Sequence, residues 1–248
     1  MPKKLKHKKS KIINKHVFSS NIVHFRIQEP EISEVCQPGQ FIHILVNNKY
    51  LRRPISIFSK QKDSIDIIFK ICGQGTLILS KLNRGEYIDI LGPLGNGFPI
   101  KGEKPLFVAG GLGVAPLNFL ALEFKTPGVF IYGTKNNQDL IDLSHLEGLN
   151  HKLIILTEEK DDQLVTNIIS PHVNETDFAY LSGPREMLKA ASSICKKNNK
   201  PGYVTWEERM GCGTGLCQSC AVKTLQGYKL TCSQGPVFKI GDIDWNEY

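Results

Sequence analysis

The sequence is 248 residues long and 41% hydrophobic, with a formal net charge of +7 and seven cysteines. That is enough apolar chain for two modest domains with real cores, and it excludes a disordered chain. An odd cysteine count and a basic start with no apolar run in it, "MPKKLKHKKSKIINKHVF", argue against a secreted disulfide framework and for a reducing cytoplasm.

Lys3, Lys4, Lys6, Lys8, Lys9 and Lys11 nearly exhaust the net charge, leaving the body close to neutral. Residues 1–10 lack interleaved aromatics and read as a solvated basic tail, with no nucleic-acid partner implied. From 11 to 100, short alternating runs such as "FIHILV", "ISIFS" and "SIDIIFKI" are separated by turns such as "QPGQ" and "VNNK". This predicts the antiparallel strands of a small barrel. Within it, "LRRPISIFS" places Arg53 and Ser56 on one strand with Pro54 between them, a cation for a pyrophosphate and a hydroxyl for a ring nitrogen. A surface arginine and a strand serine are also common without a ligand. Downstream, "GQGT", ending at Thr76, is a glycine turn that opens a helix and offers free N–H groups to a phosphate.

From 101 to 200 the pattern turns to strand, helix, strand: "PLFVAGG", "APLNFLALEF", "VFIYGT", "KLIILTE" and "FAYLSGP", then "REMLKAASSICKK". That is a parallel α/β sheet. The uncharged stretch 105–122 is near the minimum length for a membrane span, but its glycines, Pro116 and Asn118 favour a strand, a glycine turn and a helix. Gly110, Gly111 and Gly113 in that turn would let a dinucleotide approach the backbone, or would simply allow tight packing.

Residues 201–248 are too few and too polar to bury a core unaided. Here "ERMGCGTGLCQSCAVKT" spaces Cys212, Cys217 and Cys220 as C-x4-C-x2-C, the arrangement of plant-type [2Fe–2S] sites, and Cys232 follows in "YKLTCSQGP". A hairpin of "AVKT" and "YKLT" across "LQG" would return Cys232 to the loop. Four thiolates also suit zinc, although zinc sites usually pair two short C-x2-4-C knuckles. Cys36, Cys72 and Cys195 lie in apolar or helical runs and read as small buried side chains. An iron–sulfur cluster passes single electrons, so a chain that links one to a two-electron donor generally needs a flavin between them.

In this order, "PGQF", "RRPISIF", "GQGT", "GPLGNGF", "GGLGVAPL", "SGPREML" and the cysteine loop resemble the ferredoxin-reductase superfamily. More narrowly, they resemble its electron transfer subunits of NAD-dependent dihydroorotate dehydrogenases. The resemblance runs from about Lys11 to the end. It implies an FAD-binding barrel over 11–100, an NAD-binding α/β domain over 101–200 and a [2Fe–2S] lobe over 201–248. Arg53, Pro54, Ile55 and Ser56 would hold FAD, joined by Ile68, Phe69, Lys70, Gly75 and Thr76. Cys212, Cys217, Cys220 and Cys232 would ligate the cluster.

The partner implied is an FMN-containing dihydroorotate dehydrogenase catalytic subunit, in a heterotetramer of two of each. Electrons would pass from its FMN through the cluster and FAD to NAD+, with no substrate oxidised on this chain alone. Relative to the family pattern, "TEEKDDQ" at 157–163 is short, and Ser182 stands where a cysteine is common. Both should border the nucleotide pocket, where Glu158, Glu159, Asp161 and Asp162 would disfavour NADP. Two other readings remain: a related reductase subunit serving a hydrogenase, sulfur reductase or transhydrogenase, and a zinc-binding interaction module. The latter leaves "RRPISIF" and "GGLGVAPL" without a role.

Overall fold

The computed structural model describes residues 6–248. The first block forms β1 (Lys6–Ser19), β2 (Ile22–Gln28), α1 (Pro30–Val35), β3 (Phe41–Leu45), β4 (Arg53–Lys60), β5 (Ser64–Lys70), α2 (Gln74–Ser80) and β6 (Tyr87–Leu94). The strands close into an antiparallel barrel in the order β1-β2-β5-β4-β3-β6. β5 shows how the two-residue period does this. Its Ile65, Ile67 and Phe69 enter the barrel core beside Phe25, Ile27 and Ile57, while Ile68 points the other way into the core of the next domain. Asp66 shares that outer face and accepts from His24 Nε2 at 2.8 Å, Arg26 Nε at 2.9 Å and Ser59 Oγ at 2.7 Å. Burial opposes its ionisation, but these donors prevail and hold the carboxyl below the usual range.

The basic tail expected over 1–10 needs correction. Residues 1–5 lie outside the described residues, but Lys6–Ser10 pair with Gly92–Ile88 of β6 and help close the barrel. Alternation allows it: Ser10 turns inward while Lys9 and Lys11 stay exposed or nearly so, and Lys6 and Lys8 pair with Glu31.

The second domain contains β7 (Pro105–Gly110), α3 (Val114–Glu123), β8 (Val129–Thr134), β9 (Lys152–Thr157), α4 (Glu158–Asp161), α5 (Ile169–Val173), β10 (Phe178–Ser182), α6 (Arg185–Lys197) and β11 (Gly202–Thr205). The 105–122 stretch is therefore a strand, a turn and a helix, and no helix among the described residues is long and apolar enough to cross a membrane. α3 is apolar all round because it is wedged between sheet and barrel. Phe119 joins the barrel core, Leu117 and Leu120 join the α/β core, and Asn118 Nδ2 donates to the Phe58 carbonyl at 3.0 Å.

The last segment forms a hairpin, β12 (Ala221–Thr224) and β13 (Gly227–Leu230), and then β14 (Val237–Lys239). The hairpin turns at Leu225–Gln226, and Gly227 already pairs with Thr224. The large sheet runs β14-β11-β10-β7-β8-β9, parallel except for β11 with β14. The domain border expected at 200 therefore cuts through a sheet. Both β11 and β14 lie beyond it, and the C-terminal lobe is stitched into the α/β domain. A four-residue and a three-residue strand give too little periodicity to be read alone.

Candidate functional site

Beside the barrel opens a cavity of about 600 Å³. Every barrel residue expected at a flavin lines it: Arg53, Pro54, Ile55 and Ser56 from β4, Ile68, Phe69 and Lys70 from β5, and Gly75 and Thr76 from the turn into α2. A Cβ on Gly75 would lie 2.4 Å from Arg53 Nε, so the guanidinium rests on bare backbone that only glycine leaves open. Thr76 Oγ1 accepts from the Cys72 amide at 3.0 Å and the Gly73 amide at 3.3 Å, which fixes the turn. The opposite wall comes from distant parts of the chain: Leu112, Ala115, Trp206, Glu207, Met210 and Pro236. Sequence reasoning missed it, although "WEERM" directly precedes the cysteine loop. Glu207 is exposed and lines the cavity.

Cys72 also lines this cavity and is exposed, contrary to its expected burial, because it sits just past β5 where the wall opens. Cys36 and Cys195 are buried as expected, and burial pushes both thiols up to about 11.

A second cavity, of about 630 Å³, borders the C-terminal ends of β7, β8 and β9. It adjoins the point where the chain leaves β7 for β8 on one side and β10 occupies the other, the position at which open α/β sheets take ligands. Gly110 and Gly111 line it; Gly113 does not. A Cβ on Gly113 would meet the Ser182 carbonyl oxygen at 2.2 Å, so this glycine lets the start of α3 pack against β10. Of the four acids of the 157–163 loop, only Glu158 reaches the cavity. Glu159 accepts from the Asn137 amide at 3.1 Å, and Asp161 from the Thr157 amide at 2.7 Å. Ser182 is buried and accepts from Thr205 Oγ1 at 2.7 Å, so its difference from the family pattern falls inside the sheet and not in the pocket. Lys70 and Leu112 line both cavities, and Lys70 Nζ meets Asp139 at 2.8 Å.

The four cysteines of the C-terminal loop converge as two pairs. The Cys212 amide donates to Cys217 Sγ, and the Thr214 and Cys217 amides donate to Cys212 Sγ, each at 3.4 Å. The Cys232 amide donates to Cys220 Sγ, also at 3.4 Å. Positive φ at Gly213 (75°) and Gly215 (90°) curls the loop so that amides face sulfur. Slight burial works against the Cys212 thiolate, but the amides of Cys217 and Thr214 win and hold its pKa at about 6. Burial first, and Cys220 next, push Cys232 up to about 12.

Two thiol pairs with amide donors suit two irons that share sulfides. The buried pair packs with Phe41 and Met210, and both of these also line the first cavity. A single layer of side chains therefore separates that cavity from Cys220 and Cys232.

Residues 207–244 match the iron–sulfur cluster binding domain of dihydroorotate dehydrogenase B, and residues 9–98 match the oxidoreductase FAD-binding domain. The fold overlays on the structure of an NADH-dependent reduced ferredoxin-NADP oxidoreductase described for flavin-based electron bifurcation. That match has a TM-score of 0.85 and 25% identity, over 97% of this chain and 91% of the other. A ferredoxin NADP+ reductase from Neisseria gonorrhoeae with bound FAD and NADP shares the fold at a TM-score of 0.66 and 18% identity, over 82% and 95% of the two chains.

The electron transfer subunit of dihydroorotate dehydrogenase B (NAD(+)) from Desulforamulus reducens is 32% identical, over 95% of this chain and 97% of its own length. Its counterpart from Bacillus cereus is 33% identical, over 94% and 96%. With relatives this similar over nearly the whole chain and both cofactor-domain matches in place, the chain belongs to the family of dihydroorotate dehydrogenase B electron transfer subunits.

Proposed function

We propose that this chain links a partner subunit, which oxidises dihydroorotate on its own FMN, to NAD+. Electrons would enter at the four cysteines and leave from the second cavity. The observation that carries this reading is the sequence of shared walls. Phe41 and Met210 separate the thiols from the flavin cavity, and Lys70 and Leu112 belong to both cavities. When bound, FAD exchanges one or two electrons and the [2Fe–2S] centre exchanges one, which lets a hydride acceptor communicate with a one-electron carrier. Arg53, Ser56, Gly75 and Thr76 hold FAD. Gly110 and Gly111 let the nucleotide approach the backbone, and Cys212, Cys217, Cys220 and Cys232 hold the cluster.

The decisive experiment is reconstitution. The purified chain, loaded with FAD and cluster, should have its flavin bleached by NADH but not by dihydroorotate. Addition of the FMN-containing catalytic subunit should then give dihydroorotate-dependent NADH formation from a complex with two copies of each subunit. Turnover of dihydroorotate by the chain alone would end this division of labour. If no candidate catalytic subunit supports turnover while NADH still bleaches the flavin, the chain serves another reductase complex.

Nucleotide preference rests on Glu158, the one acid of its loop at the cavity. A 2′-phosphate near that carboxylate would be repelled, so NADH should bleach the flavin at lower concentration than NADPH. Glu158→Gln should narrow the gap in stopped-flow titrations. Equal response to the two nucleotides in the unaltered protein would remove Glu158 from this role.

A further inference from the structure

His43, on β3, is fully buried, yet neither Nδ1 nor Nε2 has a hydrogen-bond partner among the described residues. A buried polar group without a partner is costly enough that each such group in a folded protein requires a reason. The nearby charges do not supply one. Arg52 donates from Nη1 to the His43 backbone carbonyl at 3.2 Å, and its Nη2 lies 2.6 Å from Asp89, which also meets His7 at 3.0 Å. These contacts satisfy one another and leave the His43 ring out.

What the ring does face is the cysteine loop. A Cβ on Gly213 would stand 2.6 Å from His43 Nδ1 and 2.7 Å from Cε1, so this ring edge lies against the backbone between Cys212 and Cys217. The ring also lies 5.6 Å, centroid to centroid, from Phe41, which packs with Cys220 and Cys232. The imidazole thus adjoins the loop that carries one thiol pair and a phenyl ring that packs on the other. In either protonation state it carries at least one N–H, and here that donor is buried without an acceptor. The acceptors that the protein alone does not provide are the sulfurs of a cluster, which become hydrogen-bond acceptors once the cysteines hold iron.

We propose that His43 is a positioning residue for the iron–sulfur centre: its ring N–H hydrogen-bonds a cluster sulfur, raises the reduction potential and ties the barrel to the cluster loop. This rests on the [2Fe–2S] reading above. Hydrogen bonds to the sulfurs are one of the means by which proteins set cluster potentials, because they stabilise the more negative, reduced state.

The test uses the full chain, loaded with FAD and cluster and bound to its catalytic subunit. Iron and sulfide are assayed first, because a wild-type chain without them would sink the cluster reading and this proposal would fall with it. With the cluster present, reduced protein containing 15N-histidine should show a weak histidine-nitrogen coupling in pulsed EPR. His43→Phe should abolish that coupling and shift the cluster midpoint to lower potential at unchanged FAD content. His43→Gln, which restores an N–H, should recover part of the shift.

No histidine coupling in the wild type, or an unchanged potential in a fully loaded His43→Phe protein, overturns the proposal. So does a strong coupling diagnostic of nitrogen bound directly to iron. If His43→Phe does not fold, the wild-type labelling result decides alone.

Discussion

Cys220→Ser is expected to take the chain from about two irons and two labile sulfides to almost none, the full content of a [2Fe–2S] centre. Cys220 is 2% exposed and packs with Cys232, also 2% exposed, beneath Phe41 and Leu94. A hydroxyl there is a poorer iron ligand, and it must also be buried in an apolar pocket. The remaining cysteines cannot replace it: Cys36 follows α1, Cys72 lines the cavity beside the barrel and Cys195 is on α6. Iron and acid-labile sulfide assays on anaerobically purified protein, with Cys195→Ser as control, give the answer. Because most of residues 214–219 are exposed, loss of the cluster should also lower the protection of this loop in hydrogen exchange. Stoichiometric zinc without sulfide in the unaltered protein would refute the cluster assignment.

Arg53→Ala should weaken FAD binding by roughly 10- to 150-fold, the equivalent of about 1.5–3 kcal/mol for a hydrogen bond to a charged group. The guanidinium lies in the cavity wall and packs over Gly75. Its geometry, a planar fork above a glycine turn, suits a pyrophosphate. Gly75→Ala is the informative companion. Its methyl would fall 2.4 Å from Arg53 Nε, so it displaces the guanidinium while leaving the charge in the protein. Flavin fluorescence titrations should show both variants weakened. Full affinity in Arg53→Ala would show that another group anchors the flavin.

The parts of the chain that could be read in advance are those whose physics is local. Two-residue alternation gave the barrel, "RRPISIF" gave residues that line one wall of the cavity beside it, and the cysteine spacing gave thiols that meet as two pairs. The parts that could not be read depend on which surfaces meet. Gly113 looks like Gly110 and Gly111 in the sequence, but only the closeness of the Ser182 carbonyl makes it a packing residue. Glu159 and Asp161 look as available to a nucleotide as Glu158 until the amides of Asn137 and Thr157 are seen to claim them. Trp206 and Glu207 reach the cavity beside the barrel because β11 returns the chain there, and nothing in a four-residue strand announces that destination. His43 reads as an ordinary member of "FIHILV", and its isolation shows only once Gly213 is packed against it.

The placement of β11 and β14 in the large sheet bears on how such a chain can be taken apart and recombined. A gene segment ending at residue 200 would encode neither strand. The truncated product would present Phe178–Ser182, four of its five residues buried in the intact chain, as a bare sheet edge ready to pair with other molecules. The complementary fragment would carry four thiols and, in β11 and β14, a two-strand ribbon cut away from the rest of its sheet. The cluster lobe is therefore not a cassette that can be moved between reductases by joining ends at its border. A chimera that exchanges it must also exchange the sheet edge on which it is built, and in this architecture inheritance of the cluster lobe and of the α/β domain is coupled.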